Sequence, residues 1–330
     1  MDPRKTATAA AKSVPAPLAP PWTTGPDGDV RRVGVEVEFA GLDTADTAYI
    51  VRSRLGGTVR SSDPHRWTVE GTELGSFTVE LDSRYAHPGE RSGPADLAMR
   101  EAFGRVAAIV VPAEIIAPPV AYDLLPKLDE LVQALAHAGA QGTEEWAPYA
   151  FGLHLNIETP SRDIAPVLKI FRAFLLLSPW LRRRMRIDPT RALLPFVDPF
   201  PLDFVDWVVN AGDEVGTDVF ISEYCRANPT KHRDLDLLPL LASMDEAGVT
   251  AALGHPPKAK RPTFHYRLPD ARLSDPDWSI TGEWNRWVMV EQLAADDHRL
   301  ELLSRAWRRW RSAWISAEPD WDAMVDKVMS

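Results

Sequence analysis

The segment Arg32-Val33-Gly34-Val35-Glu36-Val37-Glu38-Phe39 leaves little choice of conformation. Side chains on a strand alternate between faces, so Glu36 and Glu38 point one way while Val35, Val37 and Phe39 point the other. Three more stretches repeat the pattern. Thr78, Glu80 and Asp82 alternate with Phe77, Val79 and Leu81; His154 and Asn156 alternate with Leu153, Leu155 and Ile157. His265 and Arg267 alternate with Phe264, Tyr266 and Leu268. Each stretch offers functional groups at i and i+2, backed by an apolar face that helices can cover. The pattern predicts one curved sheet with a concave polar face.

The rest of the chain supplies the helices. Residues 1–28 are rich in Ala, Pro, Thr and Gly without a sustained period and are expected to form a disordered leader. A short helix is expected from Asp43 to Leu55, with Gly56-Gly57 as its stop. Strand-like pieces at 57–61, 66–70 and 77–82 then form a meander. Pro94–Ala108 reads as a helix leading into the β-rich run from Ala113 to Pro119. Glu114 within that apolar run is costly unless paired or bound to metal. Tyr122–Ala138 is helical by period, and a strand follows over Ala150–Glu158.

The strongest helix spans Asp163–Arg186, at least to Pro179, with Val167, Leu168, Phe171, Phe174 and Leu175 spaced to pack on a sheet. Its basic end, Arg182, Arg183, Arg184 and Arg186, either complements the helix dipole or faces phosphate at a pocket rim. The loop-rich stretch 188–262 carries helices near 202–211, 218–227 and 235–247, and a strand follows over 263–268. The tryptophan-rich C-terminus, Trp278 to Trp321, suits core or subunit interface. Residues 29–295 read as one α+β catalytic domain and 296–330 as C-terminal helices.

Composition narrows the function. A formal charge of -10 argues against general nucleic-acid binding, while leaving room for a local basic pocket. The single cysteine, Cys225, rules out an intramolecular disulfide and a cysteine zinc site. It fits a reducing cytoplasm and reads as a small buried apolar residue. Pro15, Pro17, Pro20 and Pro21 interrupt any signal-type apolar run. The longest apolar run, 106–120, carries Glu114 and falls short of the roughly 20 residues of a membrane helix. A cytoplasmic protein with no membrane partner is expected.

No H-E-x-x-H pair, Gly-Lys-Ser/Thr phosphate loop, G-x-G-x-x-G turn or G-x-S-x-G elbow occurs. The alternating acidic strands remain. Carboxylates supply the hard oxygen ligands that Mg²⁺ prefers and shares with substrate phosphates. Glu36, Glu38, Glu80 and Glu114, with His154 and His265, are enough ligands for two ions around a triphosphate.

These motifs also carry a family likeness. Gly34-Val35-Glu36-Val37-Glu38-Phe39 resembles the Gly-x-Glu-x-Glu-Phe strand of the glutamine synthetase-like carboxylate–amine ligases. Gly152-Leu153-His154-Leu155-Asn156 resembles their Gly-x-His-x-His/Asn strand, and Lys260 to Asp270 their Lys-Arg-x-Glu-x-Arg-Phe-Pro-Asp strand. Glu114-Ile115-Ile116-Ala117-Pro118 resembles the Glu-Leu-Val-Ser-Pro motif of the amidoligase branch. The four occur in family order across about 33–295.

The resemblance implies an α+β fold with a curved antiparallel sheet, helices on its convex face and a helical C-terminal region. It implies Mg²⁺ on Glu36, Glu38, Glu80, Glu114 and His154, with His265 standing where the family has a glutamate. Catalytic roles fall to Arg267, Glu38 and Glu114, and ATP contacts to Arg267, Arg261, Lys231, Arg233 and Asn156. Asn228-Pro229-Thr230 with Lys231 and Arg233 is similar to a substrate-binding stretch of glutamine synthetase. The implied reaction joins a small-molecule or peptide carboxylate to an amine through an acyl phosphate. The alternatives are a metal-dependent hydrolase and a non-catalytic nucleotide- or partner-binding descendant. A homo-oligomer through the C-terminal helices is a further expectation.

Overall fold

The computed structural model describes residues 14–63, 65–81, 112–144, 151–187, 197–228, 230, 232–312 and 321–330. The strands are β1 Arg32–Phe39, β2 Thr58–Asp63, β3 Arg66–Thr72, β4 Gly75–Leu81, β5 Ala113–Ala121, β6 Leu153–Glu158, β7 Leu235–Asp236 and β8 Thr263–Tyr266. They form one open sheet in the order β2-β3-β4-β5-β1-β6-β8-β7. Every neighbouring pair is antiparallel. Among the described residues the helices are α1 Thr44–Leu55, α2 Leu125–His137, α3 Ile164–Met185, α4 Leu202–Ala211 and α5 Thr217–Ala227. They continue as α6 Leu238–Met244, α7 Glu246–Leu253, α8 Ile280–Ala295, α9 Asp297–Ser312 and α10 Trp321–Met329.

β1 sits inside the sheet, between β5 and β6, and its alternation is realised as read: Val33, Val35, Val37 and Phe39 are buried. On that face Val35, Val37, Phe77 and Ile115 line one apolar cavity together with Leu128, Leu131 and Val132 of α2. α1 covers β3 and β4 with Ala48, Val51 and Leu55. Farther along, Phe264 and Tyr266 pack on Trp287 of α8 with ring centroids 5.4 and 5.3 Å apart, and Phe174 of α3 meets Tyr266. Burying one such side chain contributes about 1.5–3 kcal/mol, so this face holds the sheet together.

Pro118 and Pro119 lie in β5, inside the sheet, where a missing N–H would break a ladder. The β1–β5 pairing absorbs them as a bulge: Val33 faces Val120 but Val35 faces Ala117. β4 pairs in register with β5 only from Ala113 to Ile116, and beyond that Gly75 of β4, at φ 122°, lies close beside Pro118, where a side chain would crowd the ring.

Three expectations change. The single helix over 235–247 is instead β7, α6 and α7. Asp245 ends α6 through its N–H to the Leu241 carbonyl and starts α7 by accepting from Gly248 N at 2.9 Å. Of the leader expected to be disordered over 1–28, residues 1–13 lie outside the described residues, residues 16–18 are held against α8, and Asp27 accepts from Arg162. Leu18 N donates to Asn285 Oδ1 at 2.8 Å and Trp284 Nε1 donates to the Leu18 carbonyl at 2.9 Å. A proline offers no backbone N–H, yet the carbonyls of such a chain still accept hydrogen bonds. Third, the arginines ending α3 face carboxylates: Arg182 pairs with Asp234, Arg183 with Asp322 and Arg184 with Asp326. Arg186 is the left-handed C-cap of the helix, at φ 52°.

α3 runs through Pro179 to Met185. By length and composition it could cross a membrane, but it is mostly buried as a core helix. The C-terminal tryptophans are core too, with Trp307, Trp310 and Trp321 in one ring cluster and Trp284 stacked on Tyr122. The helix expected over 94–108, together with Asp82, Lys231 and Trp314, lies outside the described residues.

Candidate functional site

Register builds the site. Glu38 of β1 and Glu80 of β4 both face Glu114 of β5, so three carboxylates form one lateral row. On the other flank Glu36 faces His154 of β6, and Asn156 of β6 faces His265 of β8. Neighbouring strands run about 4.8 Å apart, which brings opposed side chains on one face within reach of each other.

The side chains interlock. His154 Nδ1 lies 3.2 Å from Glu36 Oε2, and its Nε2 lies 3.9 Å from Glu38 Oε1. Asn156 Nδ2 donates to Glu36 Oε1 at 2.8 Å, and His265 Nδ1 lies 2.9 Å from Asn156 Oδ1. Gly152 N donates to Glu38 Oε2 at 2.9 Å, bracing that carboxylate on the backbone of the next strand. The two imidazoles stand edge to face with centroids 5.3 Å apart. Glu38, His154 and Asn156 are buried, and Glu36, Glu114 and His265 half-buried.

Among the described residues two groups of ligand atoms lie close enough to share an ion: Glu36, His154 and His265, and Glu38, Glu114 and His154. Like charges directly opposed on neighbouring strands repel, and a divalent cation between Glu38 and Glu114 offsets that. A donor set of carboxylate oxygens and imidazole nitrogens fits such an ion. Withdrawal from water holds the His265 imidazole well below its ordinary 6.5; His154, Arg267 and Arg261 push the same way and Glu36 opposes them. A neutral imidazole is the form that ligates metal.

The remaining expected residues divide. Glu80 shares the carboxylate row but is paired with Arg66 at 3.1 Å and belongs to neither metal-capable group. Arg261 reaches within 3.9 Å of Glu36 Oε1. Arg267 is buried, and its backbone N–H donates to the Asp234 carbonyl at 2.8 Å. Arg233 is engaged elsewhere: Nε donates to Asn228 Oδ1 at 2.9 Å, a second nitrogen donates to the Pro199 carbonyl at 2.6 Å, and the guanidinium lies over Phe200.

Sequence reading missed Gly152 N, Arg66 and Asp236, which faces His265 from β7 and accepts from Leu238 N at 3.0 Å. Asp234 and Asp236 carry the same i, i+2 spacing that marks β1, so that signal was available.

A family described as "Putative amidoligase enzyme" matches residues 29–289. Neither the curated proteins nor the solved structures returned a match. The matched region contains β1 through β8 and every residue of the carboxylate–imidazole cluster, and the chain belongs to the amidoligase family.

Proposed function

We propose that the chain is an ATP- and Mg²⁺-dependent carboxylate–amine ligase. The observation that carries this is the convergence of Glu36, Glu38, Glu114, His154 and His265 on one sheet face of an amidoligase-family chain. ATP transfers its γ-phosphoryl group to a substrate carboxylate oxygen, leaving ADP. The amine then attacks the acyl carbon, loses a proton, and expels inorganic phosphate as the amide forms. The substrates are a small-molecule or peptide carboxylate and an amine donor.

Glu38, Glu114 and His154, with Glu36 and His265 beside them, would hold the divalent ion, which supplies charge neutralisation to the phosphates. Arg267 and Arg261 offset charge on the transferring group through preoriented N–H donors, and Asn156 contributes to nucleotide binding. The reading carries with it the glutamine synthetase-like form of the sheet, curved with its helices on the convex side. It also carries a cytoplasmic location, no nucleic-acid or membrane partner, and self-association through the C-terminal helices.

Incubating the purified chain with Mg²⁺, ATP and pooled carboxylates and amines tests it, with ADP measured by coupled assay and amide by mass spectrometry. ADP release that requires both acid and amine, lost in Glu38→Ala, is expected. Cleavage of an amide or phosphoester without ATP would replace the reading with a hydrolase, and tight ATP binding without turnover with a binding protein.

A further inference from the structure

Beyond Glu114 the polar face of the sheet continues across β4, β3 and β2, and there the carboxylate row gives way to alternating charge. Glu80 of β4 faces Arg66 of β3, and Arg66 pairs with it at 3.1 Å. In the next row Thr78 of β4 faces Thr68 of β3, which faces Arg60 of β2. Arg60 reaches diagonally to Glu70 of β3 at 2.8 Å. Val69, Phe77 and Val79 have the opposite parity and are buried on the side where α1 packs, so this helix covers the other face.

Three properties of this face point to a ligand. It is open, with the side chains of Arg60 and Glu70 65% and 51% exposed and that of Arg66 55%. It is balanced: guanidinium alternates with carboxylate, which selects neither a polyanion nor a polycation, and such exposed pairs exchange readily with a ligand's own charges. It also carries an apolar residue in a polar row, the half-buried Ile116, which faces Glu36 on one side and Thr78 on the other. Strands lie about 4.8 Å apart, so the three steps from β5 to β2 span roughly 14 Å, the length of about four extended residues. An acid of single-residue size seated beside Glu114 stops short of Arg60.

We propose that the polar face of β4, β3 and β2 is the acid-substrate subsite, and that the acid is a peptide laid across these strands in extended form. Its carboxylate end sits at Glu114 and its far residues reach Arg66, Thr68 and Arg60. The hydroxyls of Thr68 and Thr78 suit peptide groups, since each can both donate and accept. The guanidiniums suit carbonyl or carboxylate oxygens, and Ile116 suits an apolar side chain. The proposal rests on the ligase reading in one respect, that the reacting carboxylate lies beside the cluster. A small-molecule acid, the other substrate which that reading admits, leaves this face unused.

The test places a reporter thiol on this face of the full chain with Thr68→Cys and a control thiol on α1 with Ser53→Cys. Cys225 is buried and its thiol is pushed up to about 11, so a thiol reagent reads the introduced group. Labelling is timed alone, with a pool of N-acetylated tetrapeptides, and with a pool of N-acetyl amino acids. Expected is several-fold slower labelling of Thr68→Cys with the tetrapeptides, little change with the single residues, and no change in Ser53→Cys. Adding Arg60→Ser or Arg66→Ser to Thr68→Cys is expected to raise the peptide concentration needed by about 10-fold, as losing a hydrogen bond to a charged group does. Unchanged urea midpoints show that these surface variants still fold. Equal protection by both pools, equal protection of Ser53→Cys, or no protection overturns the proposal. Peptide protection without ADP release from any acid counts against the ligase reading alone, whereas ADP release from single-residue acids without peptide protection counts against this subsite alone.

Discussion

His265 is neutral in the folded chain at a pH where the same ring, unfolded, begins to take up a proton. Its folded value is depressed by burial first and by the charge of His154 second. The unfolded chain therefore binds the proton preferentially as pH falls. The stability tied to this group is full above 6.5 and is lost as pH drops through the depressed folded value. Urea midpoints measured from neutral pH downward should decline, and His265→Asn should flatten that decline; parallel curves for the two proteins would refute it. Cys225 makes a second case. It is buried in α5, and burial pushes its thiol up to about 11. Little thiolate exists at neutral pH, so a thiol reagent should label the native protein far more slowly than the urea-unfolded one. Comparable rates in both states would show that the thiol is open to solvent. The sequence made Cys225 legible because burial follows from residue type, whereas the state of His265 depends on neighbours from two other strands.

At the scale of elements, the β7–β8 edge depends on α3. Arg182 and Ser178 of α3 both bond the fully buried Asp234 carboxylate, and the Asp234 carbonyl accepts from Arg267 N at 2.8 Å. The pair thus seats the strand that carries His265 and Arg267. Arg182→Ala leaves a buried carboxylate without its guanidinium and should cost about 3–5 kcal/mol, read as a lowered urea midpoint. A loss below 1 kcal/mol would mean that Ser178 and solvent satisfy Asp234 unaided. The strands were legible because a period of two with carboxylates on one side has a single geometric meaning. The strand over 113–119 was legible despite its prolines, but the bulge that accommodates them depends on pairing with β1. The role of the α3 arginines was not legible, since Asp322 and Asp326 lie 139 and 142 residues away. Nor was the break at Asp245: the helical period continues across it, and only the cap hydrogen bonds reveal it.

For the whole molecule, the described residues share one apolar core that extends from β1 through α3 to α10. Arg31 ties its far corners together. It donates to both oxygens of Glu291 at 2.8 and 2.7 Å, to the Glu158 carbonyl at 2.8 Å and to the Trp22 carbonyl at 2.7 Å. Glu291 also accepts from Trp287 Nε1 at 2.7 Å. Glu291→Ala strands that guanidinium away from water and should cost about 3–5 kcal/mol in chemical denaturation, whereas a surface glutamate such as Glu70 should cost almost nothing on removal. The attachment of α10 has another character. Its half-buried Asp322 and exposed Asp326 meet Arg183 and Arg184, while Trp321 Nε1 donates to the Leu176 carbonyl at 3.1 Å and Trp180 Nε1 to Asp326 at 2.9 Å. Exposed ion pairs fade as the Debye length shrinks. With Trp321, Val325 and Val328 buried beneath them, those pairs trim the tail without seating it, so added salt should shift the urea midpoint only slightly and leave tryptophan emission where it is.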